Sequence, residues 1–261
     1  FSKIYAASTA NYYMTLAKNV LNSAVSDRII QYNPCFNVKM LKNTAVKKPK
    51  ARETIHRALT LEEQETFFKK ARKKNAWYEN VFRLMICTGI RVGEAGALRW
   101  KDIDYGQNVM HIKETVTLVD YGAFGTGDAK TEAGVRDIAL NDDIKKILAD
   151  QKKKVAEHIG IAYTKPDAFI FYTAEEHKAP IRDNNVNSAI DVLLKDTGIA
   201  HFTSHAFRDT FATRAFEQEI NPNIVKEILG HTDLAMTMDL YTQVLPNIKQ
   251  DAMKKLQIKL A

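Results

Sequence analysis

Val109-Met110-His111-Ile112-Lys113-Glu114-Thr115-Val116-Thr117-Leu118-Val119 marks this chain as more than a bundle of helices. Valine, isoleucine and threonine crowd it, and β-branched side chains suit a pleated, half-buried surface better than a helix. Further on, Arg136-Asp137-Ile138-Ala139-Leu140 alternates polar and apolar residues with period two, another strand signature. Between these runs lies Gly122-Ala-Phe-Gly-Thr-Gly-Asp-Ala-Lys-Thr-Glu-Ala-Gly134, rich in turn residues, which predicts a long flexible loop. Residues 102 to 140 thus predict a small antiparallel sheet.

Helical patterns lie on both sides. Upstream, Thr60-Leu-Glu-Glu63 has the spacing of a capping box, which starts a helix expected to run to about Lys74. A second helix is expected near Trp77 to Cys87, with Val81, Leu84 and Met85 turned inward. Thr88-Gly89 breaks it, and a short helix follows through Arg91, Glu94 and Leu98. Downstream, Asn141 caps a helix to about His158, and Asp183 or Asn184 opens one ending near Gly198. Ser204 caps another, and Asn221-Pro222 starts one that stops at Gly230. At the N-terminal end, Tyr12, Leu16, Val20 and Val25 recur at helical spacing. They predict a helix over residues 8 to 32, ended by Asn33-Pro34. The fold class is therefore α+β, mainly helical.

The chain has 261 residues, 45% hydrophobic and 26% charged, enough for a sizeable core. No run of about 18 apolar residues occurs, so no membrane partner is expected. The start carries no signal peptide. It also lacks an initiator Met, which points to a piece of a longer protein. Net charge is +7, which favours polyanionic partners, chiefly nucleic acid. Much of that charge sits in the stretch from Lys39 to Arg52, where Lys42, Lys47, Lys48, Lys50 and Arg52 make an exposed linker, read equally as a solvated loop and as one that touches phosphates. Cys35 and Cys87 are too few and too far apart for a metal site or a disulfide framework, consistent with a reducing cytosol.

The chemistry-bearing residues fall late in the chain. His205 and Arg208 share a helix face at an N-terminus, where backbone N–H groups favour an anion. Phe207, Phe211 and Ala215 are expected on the core side. Histidine-x-x-arginine alone is a weak signal. His201 and His205 also have the spacing of a metal pair, but no third ligand accompanies them. Arg91 precedes Glu94 by one helical step, as a surface ion pair does, and equally as an arginine pinned by a carboxylate and aimed at phosphate does. Residues 221 to 241 could form a DNA-reading helix-turn-helix, but the second helix carries Asp233 and Asp239 and no basic residue. Tyr241 follows His231 by ten residues, and a phenol can form a covalent ester with phosphate.

Taken in order, the segments resemble the tyrosine recombinases, the phage-type integrases. Thr88-Gly-Ile-Arg91-Val-Gly-Glu94-Ala-Gly-Ala-Leu98-Arg-Trp100 is similar to the family's first-arginine motif, and His205-Ala-Phe-Arg208 to its second. Leu229-Gly-His231 and Tyr241 resemble the last two elements. Lys130 to Leu140 resembles the hairpin that carries the catalytic lysine, with Lys113 as a competing candidate. The resemblance spans about residues 55 to 245 and is nearest to integrases of mobile elements such as conjugative transposons. Departures are Asp209 where many members have His, and Ser204 and Ala129 where Pro is common.

The resemblance implies a partial core-binding helical domain at 1–45, a basic linker at 46–55 and a catalytic domain at 56–261. It also implies a chain that begins inside the core-binding domain, without an arm-binding domain. Tyr241 is the implied nucleophile. Arg91 and Arg208 hold the phosphate, Lys130 protonates the leaving oxygen, and His205 and His231 flank the reaction. Lys47, Lys48, Lys50 and Arg52 contact DNA. No metal and no cofactor is implied, because two arginines supply the positive charge. Expected partners are double-stranded DNA at element ends and target, other copies of the chain (dimer to tetramer) through an amphipathic tail helix at 247–261, and an accessory excision factor. The expected location is the bacterial cytoplasm, on DNA. A type IB topoisomerase, a resolvase of chromosome dimers and a non-enzymatic DNA-binding regulator remain as alternatives.

Overall fold

A computed structural model describes residues 7–41, 57–74, 76–118, 124–128, 134–174, 179–235, 237–238 and 241. The chain divides into two compact units, Phe1–Glu53 and Thr54–Ala261.

In the first unit, helix α1 runs Ala7–Ser26. It ends six residues before the expected 32. Arg28 adopts a left-handed backbone at φ +59°, and Ile29 N–H returns to Ala24 O at 2.8 Å, so a reversal of the chain ends the helix before Pro34 is reached. Asn33 then ties the following turn to the helix through Lys18 O and Asn22 Oδ1. The apolar positions that gave α1 its periodicity are largely open, with Tyr12 61% and Val20 68% exposed.

The second unit is helical around a small β element. Helix α2 is Leu61–Lys73, and both halves of the Thr60–Glu63 capping box form. Helix α3, Glu79–Thr88, buries Val81, Leu84 and Met85 and is the axis of the core. Phe67, Phe82, Phe202 and Phe207 pack there with ring centroids 5.3 to 5.7 Å apart, each fully or almost fully buried. Four such rings take about 600–1,000 Å² of surface out of water. Helix α4 is short, Val92–Ala97.

The strand-like stretch forms two pieces rather than one sheet. Strands β1 (Ile103–Asp104), β2 (Val109–Ile112) and β5 (Arg136–Ala139) make an antiparallel sheet in the order β1-β2-β5. Strands β3 (Glu114–Leu118) and β4 (Phe124–Asp128) make a separate antiparallel pair. β4 corrects the expectation of loop throughout residues 122 to 134. Its Gly125 and Gly127 have little strand preference of their own, and the ladder to Thr117, Val116 and Thr115 holds this stretch extended.

Helix α5 is Asp142–His158, capped by the Asn141 side chain. Helix α6 is Asp183–Leu194, helix α7 is His205–Glu217, and helix α8 is Pro222–Leu229 with Gly230 as its left-handed C-cap. None of the described helices is long and apolar enough to cross a membrane.

Candidate active site

The Thr88-Gly89 break builds one wall. Gly89 closes α3 at φ +68°, and a Cβ there would lie 2.5 Å from Leu229 Cδ2 and 2.7 Å from Phe211 Cδ1. Glycine is thus required twice, for its backbone angle and for the close approach of the α7 and α8 side chains. Two residues on, Arg91 is the N-cap of α4 in extended conformation. Glu94, in the first turn, accepts the Arg91 backbone N–H at 2.9 Å with one oxygen and the Arg91 guanidinium at 2.9 Å with the other. Arg91 remains 42% exposed, so its other face is open.

Arg208 is the opposite case, only 3% exposed. Its Nη1 donates to Gly89 O at 2.7 Å and its Nη2 to Leu229 O at 2.6 Å. Both acceptors lie at helix C-termini, α3 and α8, where carbonyl dipoles favour a cation. Burial, and after it the charge of Arg91, push the Arg208 pKa down to about 9. A dry guanidinium among other cations is a group that an arriving anion relieves.

The expected division of α7 into a polar and an apolar face does not hold. Ala206, Phe207, Arg208, Thr210, Ala212, Thr213, Ala215 and Phe216 are all buried, because the helix runs between the α3 core and α8. His205 is exposed at its start. Ser204 stands at the N-cap position without capping through its side chain; its hydroxyl donates to Asp183 instead.

His231 follows the Gly230 turn, and its Nδ1 lies 2.9 Å from Thr237 Oγ1. Burial, then the charges of Arg208 and Arg91, pull its pKa down to about 4, so it is neutral at pH 7. Arg91, Glu94, His205, Arg208, Gly230 and Thr232 line one cleft of about 710 Å³. Arg91, His205 and Arg208 share this cleft, and His231, between Gly230 and Thr232, feels the charges of all three. Tyr241 packs edge-on against Phe216, centroids 5.0 Å apart at 81°, in a small cluster with Ala212, Ala215, Val225 and Leu229. Phe216 is eight residues from Arg208, about 12 Å along the α7 axis. His201, weighed as half of a metal pair, faces Asp191 at 3.0 Å. Lys130, Lys47, Lys48, Lys50, Arg52 and the tail at 247–261 lie outside the described residues.

The residue that sequence reasoning passed over is Arg136. Its Nη2 reaches Glu94 Oε2 at 2.8 Å and its Nη1 reaches Glu94 Oε1 at 3.2 Å. It also donates to Gly134 O and Ile228 O. A signal was available. Alternation puts Arg136 on the same face of β5 as buried Ile138, and a charge on a core-facing position needs a partner. Burial alone raises the Glu94 carboxyl pKa, but the Arg136 hydrogen bonds and charge and the Arg91 N–H outweigh it and hold it below 4.5.

The chain belongs to the phage integrase family, the tyrosine recombinases: the family's profile matches residues 57–247. It is 28% identical over 251 residues to the ICEBs1 integrase of Bacillus subtilis (strain 168), covering 95% of this chain and 65% of that protein. It is 24% identical to the transposase from transposon Tn916 of Enterococcus faecalis, covering 97% of this chain and 62% of that one. The chain thus spans about two thirds of the length of these curated relatives. Among solved structures it shares its fold with the Tn1549 transposon integrase in complex with circular intermediate DNA, at TM-score 0.72 and 20% identity over 98% of this chain and 82% of that one. A lambda integrase dimer bound to a core site matches at TM-score 0.58 and 18% identity, over 98% and 77%.

Proposed function

We propose that this chain is the strand-exchanging part of a mobile-element integrase, acting on double-stranded DNA through a covalent tyrosyl intermediate. The observation that carries this reading is the pairing of exposed Arg91 with dry Arg208 on one cleft. The cleft presents two guanidinium groups, Arg91 and Arg208, beside the carboxylates of Glu94 and Asp183, and the two arginines supply positive charge where a phosphodiester gathers negative charge in a pentacoordinate transition state.

In this reading the Tyr241 phenol oxygen attacks the scissile phosphorus. The phosphorus–O5′ bond breaks, and the DNA stays on the enzyme as a 3′-phosphotyrosyl ester. The phenol proton passes to His205, and Lys130 supplies one to the departing 5′ oxygen. Arg91 and Arg208 hold the non-bridging oxygens. His231, neutral because of its lowered pKa, serves as a hydrogen-bond partner rather than as a cation. The ester conserves the bond energy, so a second 5′-hydroxyl reverses the step onto a new strand. Two rounds resolve a Holliday junction.

The remaining assignments belong to the same reading: Lys47, Lys48, Lys50 and Arg52 on the DNA backbone, self-association on DNA through residues 247–261, an accessory excision factor, and action in the cytoplasm. The Tn1549 integrase and lambda integrase structures, both held on DNA, support the choice of partner.

The test separates exchange from relaxation. Two duplexes carrying element-end sequence, one fluorescent, are incubated with the chain. A recombinase yields a labelled junction and then swapped strands. A type IB topoisomerase relaxes supercoiled plasmid and swaps nothing, and a DNA-binding regulator does neither.

A further inference from the structure

We propose that Arg136 is a positioning residue that neutralises Glu94 from behind, so that the Arg91 guanidinium stays available to the phosphate. This rests on the reading of the cleft as a phosphate site and deepens it.

Glu94 accepts four hydrogen bonds, two from Arg91 and two from Arg136. The two arginines are not equivalent. The Arg136 side chain is 7% exposed and that of Glu94 is 6%, whereas Arg91 stands half in solvent. A buried ion pair holds its charges more tightly than an exposed one, because water screens the latter. The carboxylate is therefore satisfied mainly on its dry side, by a planar fork matched to both its oxygens. Without Arg136, Glu94 would have one cation left, and the Arg91 guanidinium would be drawn into a full ion pair and away from the cleft.

Arg136 is itself fixed at two further points. Its Nε donates to Ile228 O and its Nη1 to Gly134 O. Arg208 takes the next α8 carbonyl, Leu229 O. Two arginines from different elements thus grip consecutive carbonyls at the end of α8, just before the turn that presents His231. Arg136 links the Arg91 wall of the cleft to the His231 wall.

The test compares wild type, Arg136→Met, Arg136→Lys and the double variant Glu94→Gln with Arg136→Met. Isothermal titration with inorganic phosphate reads the availability of Arg91, and cleavage of a nicked duplex reads the chemistry. Arg136→Met is expected to bind phosphate about tenfold to a hundredfold more weakly and to cleave more slowly by at least that factor. Arg136→Lys, which keeps the charge, should retain most of the phosphate binding. The double variant should regain binding lost in Arg136→Met, because the carboxylate that captures Arg91 is gone. A purely structural role would give no such recovery. Circular dichroism checks folding, and Arg136→Gln replaces Arg136→Met in the same comparison if the latter does not fold. Phosphate binding unchanged in Arg136→Met, or no recovery in the double variant, overturns the inference. Wild type that binds phosphate with this pattern but never cleaves overturns the proposed function and leaves the role of Arg136 standing.

Discussion

Arg208 on α7 donates to the carbonyl of Leu229 at 2.6 Å, so one buried guanidinium both faces the cleft and holds the last turn of α8. The same group reaches Gly89 O. Arg208→Lys has a single ammonium for two carbonyls that lie in different directions. Each unmade bond to a buried acceptor costs about 1–3 kcal/mol. Chemical denaturation should show a loss in that range, together with loss of strand cleavage. A variant as stable as wild type would mean that the two carbonyls find other donors.

Acid should weaken the fold in two stages. His231 has a folded pKa of about 4 against an ordinary 6.5. Between those values the unfolded chain binds a proton that the folded chain refuses, so stability falls as pH drops through that window. Glu94 is held below 4.5, so its contribution is present above that pH and is lost as pH falls through its lower folded value. Urea midpoints measured from pH 7 to 4 should decline in wild type, and His231→Gln should flatten the decline between about 6.5 and 4. Equal slopes for the two proteins would contradict the cause given for His231.

The small face of α4 sets how closely β3 approaches the Arg91 helix. A Cβ at Gly96 would lie 2.4 Å from Ile181 O and 2.9 Å from Val116 Cγ2. Gly96→Ala should destabilise by about 1–3 kcal/mol, the usual range for overpacking. Gly106→Ala is the control, since its Cβ meets only the Asp104 carboxylate at 3.2 Å. Thermal unfolding should separate the two variants. Similar melting temperatures would show that the Ile181 backbone and Val116 both move aside freely.

Local chemistry made much of this legible in the sequence. Thr60 with Glu63, Asn141, and Pro222 with Gly230 mark helix ends because capping acts within four residues. Arg91, His205, Arg208 and His231 follow from motif order; the fold brings the first three to one cleft and sets His231 within reach of their charges. What escaped depends on partners far along the chain. β4 is extended because β3 lies beside it, not because Gly125-Thr126-Gly127 favours a strand. α7 looked two-faced by its pattern but is enclosed on both sides. The importance of Arg136 comes from Glu94, 42 positions away, and only its parity with Ile138 hinted at it. α1 stops where Arg28 turns left-handed, which its apolar spacing does not record.

In the proposed reaction Tyr241 carries the DNA covalently. A 5′-labelled duplex with element-end sequence and a nick that lets the released fragment diffuse away is incubated with wild type and with Tyr241→Phe, and the products are run on a denaturing gel. Removing the hydroxyl leaves the ring to pack on Phe216, so the variant should remain folded and should bind the duplex. Wild type should give a labelled protein–DNA adduct, formed equally in the presence of EDTA, and Tyr241→Phe should give none. An adduct that persists in Tyr241→Phe, or cleavage by wild type without any adduct, would contradict the proposed reaction.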